Sequence, residues 1–228
     1  MDPIPPAQRI VFIAGGTGYL GMPLIAALVA RGHRVRTLVR ESSRQRVAAA
    51  LPAGVECIVG DTLEADSFAE SVRGADTFVQ MAGVPHPSPA KAGEFLSFDL
   101  VSATAGLDAA CRSAVAHFVY VSVSQFPGER IPAMRAYVES RALAEARIRE
   151  RVAGGTLGAT FVRPWYVLGP GHRWPLLLAP LMALAAWAPG WKTRIGKMGL
   201  VSRDAFVSAM VHAIEHPAQI AQRAGRQA

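Results

Sequence analysis

The chain has 228 residues, of which 51% are hydrophobic and 18% charged, and it carries a net charge of +7. Such a length supports one domain with a substantial core, and such a composition excludes a disordered chain. The basic residues are dispersed rather than gathered into a stripe. That argues against a nucleic-acid surface and leaves a mild attraction for anionic small molecules.

The amino-terminal stretch Met1–Gln8 is short and Pro-rich and lacks the apolar core of a signal peptide. Arg9–Ala14 then reads as a first strand. It runs into a glycine cluster, Gly15-Gly16-Thr17-Gly18-Tyr19-Leu20-Gly21, and an apolar helical pattern follows over Leu20–Arg31. Gly16, Gly18 and Gly21 satisfy G-x-G-x-x-G, while Gly15, Gly18 and Gly21 satisfy the related G-x-x-G-x-x-G. Between a strand and a helix, these glycines serve a tight turn, a close backbone approach to a pyrophosphate and close packing of helix on strand. The helix start adds amide donors and a positive dipole end. A dinucleotide site is therefore expected here, with Gly15, Thr17, Gly18, Tyr19, Leu20 and Gly21 as its candidates.

Further along, strands are expected at Val35–Val39, Val55–Val59, Thr77–Met81, His117–Val121 and Thr160–Val162. Helices are expected at Arg44–Leu51, Ser67–Arg73, Phe95–Ser113 and Tyr137–Val152. Alternation of this length implies right-handed βαβ units, hence an α/β, Rossmann-like doubly wound parallel sheet with helices on both faces. Several strands are continuous apolar runs, as strands covered on both faces are. After the sixth strand the alternation ends. Helices at Pro175–Ala188 and Arg203–Glu215, the latter capped by Ser202, and a short segment at Gly199–Val201 complete a small carboxy-terminal cap over 165–228 within one domain. The stretch from Pro175 to Pro189 is almost wholly apolar but shorter than the roughly 20 residues that span a bilayer. It suits a buried helix or a homo-oligomer contact, with peripheral membrane attachment as the alternative. Cys57 and Cys111 lack metal-ligand spacing, so a reducing, cytoplasmic setting fits and no metal site is expected.

The end of the second strand bears on the choice between NAD(H) and NADP(H). Arg40 can pair bidentately with a 2′-phosphate, and Ser42, Ser43 and Arg44 add donors. Glu41 is the competing acidic residue that a 2′-hydroxyl would want. The balance favours NADP(H) over NAD(H). After the third strand, Asp61 can accept from an adenine amino group with Thr62 beside the ring, or it can cap the next helix. Met81, Ala82 and Gly83 are small enough at the fourth strand's end for a cofactor to lie against the sheet edge, although such residues equally suit a loop.

With Gly15–Gly21, Val39-Arg40, Gly60-Asp61, Phe118–Ser122, Tyr137–Arg141, Val162–Gly171 and Val201–Ala205 in view, the chain resembles atypical or extended short-chain dehydrogenase/reductases. The resemblance is to their NAD(P)H-binding, epimerase/dehydratase-like branch near the NmrA-like proteins and the Rossmann-type accessory subunit of respiratory complex I. It extends from Arg9 to about Pro217. It implies that Pro164 and Val167 pass the nicotinamide. It also implies a Ser/Thr, Tyr and Lys set, in which Tyr137 takes the place of the proton-donating Tyr. Arg141, one turn along the same helix face, stands where Lys is expected. Arg keeps the charge and can lower a phenol pKa or reach ribose hydroxyls, but it cannot relay a proton by deprotonation. Ser122 matches the first Ser after the fifth strand, Val123 occupies the next place, and Ser124 is the other candidate.

The segments that line the family's substrate pocket here offer His86, Trp165, Tyr166, His172, Arg173 and Trp174. A wall of this kind suits a small apolar carbonyl or a quinone-like substrate. Two functions remain open: an NADP(H)-dependent oxidoreductase on such a substrate, or an NAD(P)H-binding redox sensor or assembly factor without turnover.

Overall fold

The computed structural model describes residues 8–84, 88–124, 132–155, 157–171 and 200–217. Six parallel strands form one sheet: β1 (Ile10–Ala14), β2 (Arg34–Val39), β3 (Glu56–Val59), β4 (Thr77–Gln80), β5 (His117–Val121) and β6 (Gly158–Val162). Their order is β3-β2-β1-β4-β5-β6. Chain direction across the sheet therefore reverses between β1 and β4, and in an open α/β sheet that switch point is where a crevice opens at the carboxyl ends of the strands.

The strands are apolar on both sides because both sides are covered. Phe12, Ala14, Phe78, Phe118 and Tyr120 face a layer made by α3 (Ala69–Val72), α5 (Val101–Arg112) and α6 (Arg135–Ala153). Val11, Ile13, Val79 and Val119 face α1 (Gly21–Ala30) and α7 (Arg203–Glu215). On the first side Phe12, Phe78 and Phe118 stack with ring centroids 5.1 and 5.4 Å apart. Burying each such ring contributes roughly 1.5–3 kcal/mol. α7 is fastened at its far end. Glu215 accepts from Arg31 at 2.7 and 3.0 Å and lies 3.1 Å from the His33 ring.

Most expected elements are present, α7 with the expected bounds and with Ser202 accepting from the Ala205 amide at 3.1 Å. Others differ. The third helix shrinks to one turn, Ala69–Val72, after the 3-10 turn Ala65–Ser67. The expected helix from Phe95 is interrupted: a short α4 (Ala92–Glu94) leads into a π-helical segment, Phe95–Leu100, before α5 begins. The segment after β6 contains a strand with no forecast, β7 (Tyr166–Leu168), which pairs in parallel with β8 (Leu200–Ser202) in a separate two-stranded sheet. α2 (Arg44–Ala50) completes the set. The helix expected at 175–188 and the wall candidates His86, His172, Arg173 and Trp174 lie outside the described residues. No described helix is long and apolar enough to cross a membrane.

Near the amino ends of the strands a buried polar row crosses three of them. His117 lies 2.9 Å from the Thr160 hydroxyl and 3.4 Å from that of Thr77. Burial, with a smaller contribution from Arg9, pushes the His117 pKa down to about 4. The unfolded chain takes up a proton at about 6.5, and the folded chain resists it. This contribution to stability is therefore complete above that value and is lost as pH falls toward about 4. Urea unfolding at steps from pH 7 to pH 5 should show a steeper loss for the native chain than for His117→Gln. Parallel slopes would rule out His117 as the source.

Candidate functional site

The glycine turn sits where the strand order reverses, and each of its glycines answers to a different neighbour. Gly15 has φ of +88°, and a Cβ there would stand 2.5 Å from the Ala82 amide nitrogen at the exit of β4. A Cβ on Gly16 would collide with the Thr37 hydroxyl and sit 2.9 Å from Ile25 Cδ1. On Gly21, the first residue of α1, it would collide with the backbone of Gly16. Gly18 differs. Its φ is outside the left-handed region, and a Cβ would meet nothing nearer than the Gly15 carbonyl at 3.5 Å, an ordinary contact. Among the described residues neither conformation nor packing requires glycine at 18. Thr17 and Gly18 form the exposed tip of the turn. The first turn of α1 carries no acidic side chain and no side-chain cap, so the positive end of the helix is left for a ligand's anion.

On the β2–β3 side, Arg40 is exposed at the end of β2 and forms no ion pair among the described residues. Glu41, Ser42 and Ser43 form a 3-10 turn immediately after it. Asp61 fits neither of its expected roles as simply as the sequence suggests. Its Oδ1 accepts from the Leu63 amide at 2.9 Å, closing its own turn, and it does not cap the following helix. The carboxylate is nonetheless exposed beside Thr62, whose hydroxyl is buried without a hydrogen-bond partner among the described residues.

At the exit of β4 the small residues have two separate reasons. Ala82 is where the glycine turn touches. Gly83 leaves room for Arg141, since a Cβ on Gly83 would collide with the Arg141 guanidinium. Arg141 lies one turn after Tyr137 in α6 and is buried. Its Nη2 pairs with Asp99 Oδ2 at 3.0 Å, and its Nη1 donates to the Val121 carbonyl at 3.0 Å. The guanidinium carbon lies 5.3 Å from the Tyr137 ring centre and 5.8 Å from that of Tyr120. Burial opposes its charge, but the Tyr137 and Tyr120 phenols and the Asp99 carboxylate hold it well above the ordinary arginine value. Asp99, from the π-helical segment, also accepts from the Val84 amide at 2.7 Å. Burial pushes its carboxyl up, and Arg141 and that amide offset only part of the rise. Tyr137 itself is half-buried, with its ring edge-on to Phe95 at 5.2 Å.

The serines lie differently. Ser122 is buried, its amide bonded to the Val162 carbonyl at 2.8 Å. Its hydroxyl faces the Glu145 carboxylate, two turns past Tyr137 on α6, at a geometry short of a full hydrogen bond. Glu145 is fully buried and accepts from Arg163 at 2.6 and 2.7 Å and from Arg149 at 2.6 Å. Burial alone would raise its pKa, yet Arg163, Ser122 and Arg149 hold it below the usual glutamate value. Val123 is buried, and Ser124 is half-buried with its amide on the Pro164 carbonyl at 3.1 Å. Arg163, although its side chain is partly exposed, thus fastens the end of β6 to α6.

Val167, in β7, packs against the core layer of α1 and α7. The turn after it returns to the glycine turn: a Cβ on Gly169 would collide with the Tyr19 hydroxyl, and the Arg203 guanidinium lies 5.9 Å from the Tyr19 ring. Asp99 and Glu145 were not singled out in the sequence, whereas the spacing of Tyr137 and Arg141 along one helix face was.

Comparison with known proteins agrees with this geometry. Residues 15–172 match a family described as NAD(P)H-binding. A ceramide reductase of Caulobacter vibrioides is 32% identical over 186 residues, covering 80% of this chain and 54% of that protein. A 4-hydroxy-2-methyl-3-oxo-4-farnesyl-3,4-dihydroquinoline-1-oxide ketoreductase of Stigmatella aurantiaca is 35% identical over 112 residues, 49% of this chain and 32% of that one. The chain thus spans about half, or less, of the length of these curated relatives. Among solved structures, the Bordetella bronchiseptica enzyme WbmH in complex with NAD+ superimposes with a TM-score of 0.66 at 19% identity, over 91% of this chain and 72% of that one. A short-chain dehydrogenase/reductase superfamily protein of Agrobacterium tumefaciens with bound NAD gives 0.66 at 16%, over 92% and 74%. From its glycine turn to the segment after β6, this chain belongs to the NAD(P)H-binding family, built on the Rossmann-like fold of the short-chain dehydrogenase/reductases.

Proposed function

We propose that the chain binds NADP(H) across the switch point between β1 and β4 and reduces a small, apolar carbonyl or quinone-like substrate. The observation that carries this reading is Gly18. Among the described residues nothing gives glycine a steric or conformational reason there, which supports a reason outside the protein, a diphosphate that approaches the backbone. Thr17, Tyr19, Leu20 and the start of α1 would hold that diphosphate. Arg40, without an ion-pair partner among the described residues, would take the 2′-phosphate, with Ser42, Ser43 and Arg44 nearby.

Bound nicotinamide would supply the hydride, and Tyr137 would give the proton to the substrate oxygen. The names of the two relatives, a ceramide reductase and a ketoreductase of a farnesyl-bearing 3-oxo compound, support the apolar carbonyl in this reading and not its small size. Binding without turnover is the second reading. It is favoured by Arg141 being held by Asp99 and Val121, and by Ser122 being turned to Glu145.

Titration with NADPH and NADH tests the first part. Gly18→Ala should fold as stably as the parent and lose at least about tenfold in affinity for both nucleotides. Unchanged affinity would remove the argument from Gly18. Arg40→Ala should weaken NADPH by roughly ten- to a hundredfold, the worth of one charged hydrogen bond or two, and leave NADH alone. Equal losses for both would return the choice to NAD(H). For turnover, NADPH oxidation is followed across a panel of ketones and quinones. Tyr137→Phe should lower kcat by at least about a hundredfold without altering NADPH affinity. Binding with no oxidation across the panel would select the second reading.

A further inference from the structure

The buried cation beneath Tyr137 has a partner that comes from a separate element. Asp99 reaches it because the chain between Ala92 and Arg112 passes through the π-helical segment Phe95–Leu100, and such insertions into a helix often mark functional sites. Three segments converge on the Arg141 guanidinium. Gly83 makes room for it, Asp99 binds one nitrogen, the Val121 carbonyl binds another, and Asp99 is itself fixed by the Val84 amide. These contacts use the planar fork of an arginine, which a lysine could not reproduce. They also leave Nη1 and Nη2 committed inside the protein, facing the Tyr137 and Tyr120 rings.

We propose that Asp99 is a positioning residue which holds Arg141 as a fixed cation under Tyr137, offsets part of its charge, and keeps it from serving as a cofactor ligand. The inference rests on the reading of Tyr137 as the proton donor. The charged and titratable groups around that phenol are Arg141 from α6, Asp99 from the π-helical segment with Glu94 acting on it, and Tyr120 from β5. Tyr120 does not compete for ionisation, because burial, with Arg141 only partly countering it, pushes its pKa up to about 12. A cation beside a phenol favours the ionised form, and a carboxylate paired with that cation opposes it.

Opposite signs follow for the two partners. Asp99→Asn keeps an acceptor for the Val84 amide and removes only the negative charge, so Tyr137 should ionise at lower pH. Arg141→Met removes the cation, so Tyr137 should ionise at higher pH, each shift being about one pH unit or more.

The readout is the tyrosinate absorbance of the free protein, taken as the difference between each variant and the same variant carrying Tyr137→Phe. It needs neither cofactor nor substrate, so it stands whether or not the protein turns over. NADPH affinity is measured alongside and should change less than twofold in Arg141→Met. A residue that only supports the fold would move neither titration, or both in one direction, and that result would overturn the proposal. A tenfold loss of NADPH affinity in Arg141→Met would overturn it as well, by making Arg141 a cofactor ligand. If Asp99→Asn does not fold, the upward shift and the retained affinity in Arg141→Met decide the matter alone. Opposite shifts without any turnover would uphold the electrostatic pair while the reductase reading fails. Turnover with neither shift would uphold the reductase reading and reject the pair.

Discussion

Two backbone segments on neighbouring strands, the glycine turn after β1 and the exit of β4, lie so close that no side-chain carbon fits between them. A Cβ on Gly15 would reach within 2.5 Å of the Ala82 amide nitrogen. The rest of the crevice depends on that approach. It occurs where β1 and β4 are hydrogen-bonded neighbours in the 3-2-1-4-5-6 order, with successive crossovers leaving in opposite directions. Gly16 against Thr37 and Gly21 against Gly16 carry the same tightness back to β2 and forward into α1. The helix start is thereby brought over the strand ends, where its dipole is of use to an anion. Gly18 is the member of the turn that this packing leaves without a reason.

The exit of β4 is also the wall shared with the second half of the site. Ala82 meets the glycine turn and Gly83 meets Arg141, so two consecutive residues lie between the glycine turn and the cation beneath Tyr137. Breaking the Asp99–Arg141 pair from one side would strand a buried charge, a change that ordinarily costs about 3–5 kcal/mol. The Glu145 cluster plays a different part. Its carboxylate joins α6 to the Arg163 that follows β6 and draws the Ser122 hydroxyl toward the helix layer. The glycine-turn side is thus held by backbone contact, and the Tyr137 side by two buried carboxylates.

The sheet was legible because its signal is local. Val11-Phe12-Ile13-Ala14 and Phe118-Val119-Tyr120 are apolar without alternation, as strands covered on both faces must be, and Ser202 marks the start of α7 by its own hydroxyl. The glycine turn was legible for the same reason. What escaped depends on partners far away in the chain. β7 is three residues long and exists by pairing with β8, more than thirty positions later. Asp99 looks like any acidic residue in a helical stretch until the π-helical segment turns it toward Arg141, 42 residues on. Gly83 looked like cofactor clearance, whereas the group that needs its missing Cβ is a guanidinium. Arg163 looked like part of a loop passing the nicotinamide, yet its charge is spent on Glu145.

A crystal structure grown with NADPH tests the central claim most directly. The account predicts the diphosphate over Thr17 to Leu20, with its closest backbone approach at Gly18. It places the 2′-phosphate on Arg40 and leaves the Arg141 guanidinium on Asp99, with no contact to the ribose. A diphosphate bound away from the glycine turn, or one held there with Gly18 pointing elsewhere, would contradict it.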